Sequence, residues 1–172
     1  MNARMNEERW YCDELDSPVG RLRLIASDLA LVAIWFEGGR DAARNKSTLV
    51  NKRSEILELA RLQLDEYFAG ERRDFDLPLD PRGTDFQRRV WERLRRIDYG
   101  ATATYGQIAA QLGNSKASRA VGLANGSNPI PIVIPCHRVI GADGSLTGFG
   151  GGLPAKSALL ELERATVQPR LL

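Results

Sequence analysis

Histidine and cysteine are scarce in this chain. There is one histidine, His137, and there are two cysteines, Cys12 and Cys136. Two cysteines at unrelated positions make no disulfide framework, so a reducing, cytoplasmic setting is expected. A structural zinc site takes about four Cys/His ligands, and the chain holds three such residues in all, so no metal site is expected. No apolar run approaches the roughly 20 residues of a membrane span, and no membrane partner is expected. The opening residues, "MNARMNEERWYCDE", lack the apolar centre of a secretory signal. Charge of one sign is also lacking, since the net is only +2 over 172 residues. It is uneven, however: residues 83–167 carry ten Lys and Arg against six Asp and Glu, and the remainder nets −2. A mildly basic second half is compatible with nucleic acid and is weak evidence for it.

The length suits one large domain or two small ones. The first third reads as strands: "RWYCDEL" and "RLRLIAS" flank the hairpin connection "DSPVG", and "ALVAIWF" follows as a buried strand. A charged, loose stretch, "EGGRDAARNKSTLVNKR", leads into a helix from Ser54 to about Ala69. Its apolar positions Ile56, Leu59, Ala60, Leu64, Tyr67 and Phe68 recur at helical spacing, and Gly70 stops it. "DFDLPLDPRG", rich in proline and ending in glycine, reads as a linker. The expected division is residues 1–77, a linker at 78–83, and residues 84–172.

The second half changes character. Thr84 with Gln87 forms a capping box opening a helix to about Ile97, with Phe86, Val90, Leu94 and Ile97 on its buried face. Thr104 with Gln107 repeats the pattern before "YGQIAAQLG", which Gly113 ends. Asn114 or Ser115 caps the next helix, "KASRAVGLAN". Two short helices joined by a tight glycine turn make a helix-turn-helix. In its second helix the spacing places Ala117, Ala120, Val121 and Ala124 on one side and Ser118, Arg119 and Gly122 on the other. That second side reads either as a solvated face or as a DNA-reading face, with small residues allowing close approach and Arg119 reaching.

The only histidine stands next to a cysteine, in "IPIVIPCHRVIG". A free thiol is mostly protonated at neutral pH, with a pKa near ~8.5, and needs a base or positive surroundings to become a nucleophile. His137 is a candidate base, and Arg138 adds positive charge nearby. Neighbours on an extended strand point to opposite faces. Either the chain turns after Pro135, or a water links sulfur to imidazole. The plain alternative is a buried cysteine beside a satisfied histidine. Cys12 reads as a small buried residue on a strand.

"IPCHRVIG" resembles the active-site motif of the methylated-DNA–protein-cysteine methyltransferases, the 6-O-alkylguanine-DNA alkyltransferases. "TYGQIA", "SRAVGLANGSNPI" and "GFGGGLPAKSALLELE" resemble the family in the same order, and together these blocks cover nearly all of residues 84–164. The resemblance implies an α+β protein, with an N-terminal ribonuclease-H-like α/β domain and a mostly helical, winged helix-turn-helix-like C-terminal domain. It implies repair by direct reversal: irreversible, single-turnover transfer of an alkyl group from 6-O-alkylguanine to Cys136, with weaker action on 4-O-methylthymine as an allowed side activity. The implied partner is double-stranded DNA. The protein would be monomeric in solution, with cooperative binding on DNA allowed, and would need no cofactor.

Carried over residue by residue, Cys136 is the nucleophile and His137 its base through a water. Glu163 orients the imidazole, Asn128 tethers the active-site turn, and Tyr105 donates toward the departing guanine. Arg119 fills the stack after the base flips out, beside Ala117, Ser118, Gly122 and Tyr105 on the DNA. At Phe149 and Gly150 some members of the family carry tyrosine and serine, and the zinc site of some members has no ligands here. A lesion-binding relative would replace the nucleophile, so Cys136 argues against that reading. A transcription regulator would want a sensor or dimerisation module that the chain does not display. A thiol hydrolase would want an oxyanion hole, which the flanking motifs do not suggest.

Overall fold

The computed structural model describes residues 9–39, 49–51 and 54–168. Four strands, β1 (Trp10–Leu15), β2 (Leu22–Ala26), β3 (Leu31–Phe36) and β4 (Leu49–Asn51), form one sheet in the order β3-β2-β1-β4. The first three run antiparallel as a meander, and β4 lies parallel to β1. The "DSPVG" connection does form the β1–β2 hairpin. The stretch expected to be loose contains β4, a three-residue strand. Its short length and polar flanks hid it, because a central neighbour supplies the pairing that the sequence pattern does not. Residues 40–48 and 52–53 of that stretch lie outside the described residues.

Helix α1 (Glu55–Phe68) packs on this sheet, with Ser54 capping it through its side chain and Gly70, at φ 75°, following it. Of the expected apolar positions Ala60, Leu64 and Tyr67 are fully buried and Ile56 and Phe68 partly so. Leu57, Ala60, Gln63, Leu64 and Tyr67 are buried, whereas Leu59 is exposed. The sequence offers apolar residues on more than one stripe, and contact with the sheet decides which one is covered. Beyond α1 the chain does not hang free. Leu79 bridges to Leu31 in parallel, Leu31 donates to the Pro78 carbonyl, and Asp80 donates back to the Leu31 carbonyl. The linker thereby covers part of the sheet edge at β3, which would otherwise present unpaired backbone groups.

The second half holds α2 (Asp85–Leu94), β5 (Ala103–Thr104), α3 (Tyr105–Gln111), α4 (Ser118–Gly126), β6 (Val139–Ile140) and α5 (Leu153–Val167). Both capping boxes are formed, each with side chain and backbone donors paired reciprocally. Helix α2 stops at Leu94 rather than Ile97, and Trp91 joins Val90 and Leu94 on its buried side. The Trp91 indole N–H donates to the Ala124 carbonyl at 2.8 Å, tying α2 to α4. Gly113, at φ 83°, makes the turn after α3, a conformation that side-chain-bearing residues seldom adopt. Asn114 then caps a short 3-10 turn, Ser115–Ala117, from which α4 continues. One continuous apolar core runs through both halves, from Leu22 and Leu24 of the sheet to Val121, Ile130 and Leu159. The architecture is α+β, a small N-terminal sheet with its helix followed by a helical unit.

Candidate active site

The segment between α4 and β6 carries Cys136 and His137, and it is not extended. Asn128 opens it. The Asn128 carboxamide accepts from the Ile130 amide at 3.0 Å and donates to the Ile134 carbonyl at 2.8 Å. Ile134 N–H also returns to the Ile130 carbonyl. The loop so closed holds Ile132 at φ 75°, where a β-branched residue costs roughly 1–3 kcal/mol. Strand β3 grips the same segment, since the Ile34 amide donates to the Pro129 carbonyl. After Pro135 the chain winds into a 3-10 turn, Cys136–Arg138. The chain does turn after Pro135, but the turn alone does not join the two side chains. No hydrogen bond joins the two side chains directly among those described.

His137 and Glu163 are both fully buried. His137 Nε2 lies 2.7 Å from Glu163 Oε1. Burial alone would raise the Glu163 carboxyl, but hydrogen bonds and charge from His137 and Arg138 outweigh it and hold the group at about 2. An ionised carboxylate only accepts, so Nε2 must carry the ring proton. The lone pair of the neutral ring then belongs to Nδ1, which is buried without a protein partner. Burial also lowers the His137 pKa, against the pull of Glu163. The resting ring is therefore neutral, with its basic nitrogen free of the carboxylate.

The thiol is in the opposite condition. Burial pushes Cys136 up to about 11, while Asn128, Lys156 and nearby amides pull it down in part. At rest it is a protonated thiol in need of a base. Arg138, expected to lend charge to the sulfur, is otherwise engaged. Its guanidinium spans both oxygens of Glu163, at 2.9 and 3.0 Å, and donates to the Ile97 carbonyl at 2.6 Å. The cation whose charge favours the Cys136 thiolate is Lys156, completely buried, its ammonium donating to the Val139 and Thr147 carbonyls at 2.6 and 2.7 Å. Sequence reasoning missed Lys156. The available signal was its place seven residues before Glu163, two turns along the same face of α5. Asn125, which reaches the Cys136 carbonyl at 3.4 Å, was also missed.

A groove of about 410 Å³ includes Cys136 in its lining, together with Asn128, Pro131, Phe149, Gly150 and residues of β3. Phe149 stacks edge-on against Phe36 at 5.4 Å and against His137 at 6.4 Å. Tyr105 sits at the start of α3, its hydroxyl 3.0 Å from that of Thr147. On α4 the exposed face is Arg119, Ala120, Leu123 and Gly126. Ala120 is thus outside, contrary to the spacing argument. Ser118 and Gly122 are half-buried, turned toward Gly106 and Tyr105 of α3, and Ala117 is half-buried before them. Packing against α3 rotates the helix from the position its own apolar residues suggest. Cys12 is half-buried on β1, and burial raises its thiol as well.

A thiol, a neutral imidazole and a buried carboxylate, set beside a helix-turn-helix, define a DNA-binding protein with a transfer site. Comparison with known proteins narrows the class. Residues 85–165 match the family described as 6-O-methylguanine DNA methyltransferase, DNA binding domain, and residues 10–81 match its ribonuclease-like domain. A methylated-DNA–protein-cysteine methyltransferase of Mycobacterium bovis is 64% identical over 156 residues, 88% of this chain and 90% of the relative. That of Methanosarcina acetivorans is 49% identical over 89% of this chain and 97% of its own. The crystal structure of the Mycobacterium tuberculosis O6-methylguanine methyltransferase superposes with a TM-score of 0.84 at 48% identity, covering 94% of this chain and 96% of that one. The same organism's protein in complex with DNA gives 0.83 at 47% identity, covering 92% and 94%. The chain belongs to the methylated-DNA–protein-cysteine methyltransferase family. It is a DNA-binding repair enzyme that works by direct reversal through alkyl transfer.

Proposed function

We propose that Cys136 accepts the alkyl group, from the 6-oxygen of an alkylated guanine in duplex DNA, once per protein molecule. The observation that carries this reading is the pairing of a buried thiol, raised to about 11, with a neutral imidazole whose Nδ1 has no protein partner. An alkyl carbon carries no polarised carbonyl, so the step is in-line displacement. The thiol proton passes to His137 Nδ1 through a water. The sulfur then bonds to the alkyl carbon as the carbon–oxygen bond breaks, and guanine leaves with the bonding electrons. Its charge is met by a proton from the Tyr105 phenol. Glu163 stabilises the imidazolium so formed. Lys156 faces the developing thiolate, and Asn128 keeps the turn in place. The product is a thioether, which nothing in the site cleaves, so the protein does not turn over.

The target atom lies inside the duplex, so the nucleotide must leave the stack at a cost of about a few kcal/mol. Arg119 is the group we assign to fill the space, with Ala117, Ser118, Gly122 and Tyr105 lining the approach. The small size of Ala117, Ser118 and Gly122 suits minor-groove contact that reads little sequence. In this reading residues 1–77 are the ribonuclease-H-like unit, 78–83 the linker, and 84–172 the DNA-binding and transfer unit. The free cysteines fit a cytoplasmic protein, and in this reading it is a monomer in solution.

The test is to incubate the protein with duplex DNA bearing 6-O-methylguanine and to weigh the intact protein and its peptides. One methyl on the peptide containing Cys136, reaching a plateau at one per molecule, is expected. Continued turnover over excess lesion, or a methyl elsewhere, overturns the proposal. A parallel run with 4-O-methylthymine reads the side activity.

A further inference from the structure

Glu163 does not belong to His137 and Arg138 alone. The phenol of Tyr67, on α1 of the N-terminal unit, lies 2.8 Å from Glu163 Oε1, the same oxygen that receives His137 Nε2. The two residues are 96 positions apart in the chain. Because the carboxylate can only accept, the phenol donates. Burial, followed by the charge of Glu163, raises the Tyr67 pKa, so the hydroxyl stays protonated and remains a donor throughout the working range. Its ring is fully buried and fixed by edge contacts to Phe68 at 5.4 Å and Tyr99 at 6.0 Å.

We propose that Tyr67 is a positioning residue of the transfer site: it fixes Glu163 Oε1 and draws negative charge away from the oxygen that binds His137. A shared acceptor divides its charge among its donors. Without the phenol, Oε1 holds the imidazole proton more strongly, and His137 becomes more basic. The surroundings that set this balance are all at hand. Glu163 faces His137 and Arg138 from the 3-10 turn, Tyr67 from α1, and the Gly100 amide, 3.1 Å from Oε2. Tyr99 stacks on Tyr67 and lies under Arg138 at 5.6 Å and Arg73 at 5.8 Å. His137 also feels Lys156 from α5. Tyr67 is the only member of the set supplied by the N-terminal sheet-and-helix unit among the described residues in hydrogen-bond contact with Glu163. The unit that carries no reacting group thus reaches the proton-transfer chain.

This inference rests on His137 acting as the base, and one experiment separates the two. The chain has a single histidine, so imidazole resonances are unambiguous. Tyr67→Phe keeps the ring and removes only the hydroxyl. The His137 Nε2 proton, read at neutral pH, should move downfield as its bond to Oε1 strengthens. The ring's pKa should rise by about half a unit to one unit, the worth of one hydrogen bond. The acid limb of single-turnover transfer should move to higher pH by the same amount. In a Glu163→Gln background, Tyr67→Phe should leave His137 unchanged. An unmoved Nε2 proton in folded Tyr67→Phe protein, or an equal shift in the Glu163→Gln background, overturns the role of Tyr67. A shifted ring with an unshifted transfer profile upholds the contact but overturns its bearing on transfer and, with it, His137 as the base.

Discussion

The turn from Asn128 to Arg138 and the helix α4 before it are neighbours in the chain built on opposite terms. The turn is buried almost throughout, and its polar side chains, His137 Nδ1 apart, are paired with one another or with the rest of the protein. Helix α4 shows Arg119, Ala120, Leu123 and Gly126 to solvent, and no hydrogen bond to the Arg119 side chain is recorded among the described residues. The difference fits what the proposed function asks of each. Moving a proton from a thiol to an imidazole requires fixed groups kept from bulk water, where charges act at full strength. Meeting DNA requires side chains that are free until the duplex arrives. Stability is therefore concentrated in the turn, and reach in the helix.

Four substitutions test that contrast. Cys136→Ser should produce the largest effect, abolishing transfer while leaving DNA affinity and fold intact; methyl uptake and a gel-shift titration on the same preparation check both halves. If affinity fell as well, the turn and the DNA face would not be separable. Glu163→Gln comes next. It leaves Arg138 buried without its carboxylate, and breaking such a pair costs about 3–5 kcal/mol, to be read from urea unfolding. It should also slow transfer at neutral pH, and adding it to a His137 substitution should cost little more, as groups acting in series are non-additive. The sign of its pH dependence is set by the lowered carboxyl: the folded group sits at about 2 against an ordinary 4.5. The stabilisation is present above the ordinary value and is lost as pH falls toward the folded one. His137 adds in the same direction, because the unfolded ring takes up a proton that the buried ring resists. Stability should thus decline from neutral into acid, and Glu163→Gln should flatten the lower end of that curve.

Asn128→Ala removes two of the three hydrogen bonds that close the loop around Ile132. A loss of about 2–3 kcal/mol is expected, with transfer falling and DNA affinity held; thermal unfolding beside a transfer time course decides it. Arg119→Ala should do least to the protein, changing stability by no more than about 0.5 kcal/mol as exposed positions do. It should nevertheless slow repair in duplex DNA by about tenfold, the worth of roughly 1.4 kcal/mol, while the reaction with free 6-O-methylguanine base is unaffected. Equal losses on both substrates would move Arg119 from base flipping to general charge.

Much of this site is visible in the sequence where its signals are local. Thr84 with Gln87 and Thr104 with Gln107 place two helix starts, because a capping box is a contact over three residues. Gly113 and Asn114 place the helix turn for the same reason. The adjacency of Cys136 and His137 marks the chemistry, and the ordered blocks from Tyr105 to Glu163 mark the family. The misses share another cause. Leu59 and Ala120 were set on the wrong faces because each helix has apolar residues on more than one stripe, and only a neighbour selects among them. Strand β4 was passed over because three residues carry no periodicity.

The sequence by itself determined the starts of α2 and α3, the adjacency of Cys136 and His137 from which the proposed chemistry is read, and the likeness to the family, all of which rest on residues close in the chain or on ordered motifs. Only the tertiary structure decided what surrounds them. It engaged Arg138 with Glu163, brought the charge of Lys156 to bear on Cys136, left His137 Nδ1 as the open nitrogen, and laid Tyr67 against Glu163 across 96 residues. Proton affinities follow from burial, hydrogen bonds and charge at a few ångströms, and those distances exist only once the chain has closed on itself.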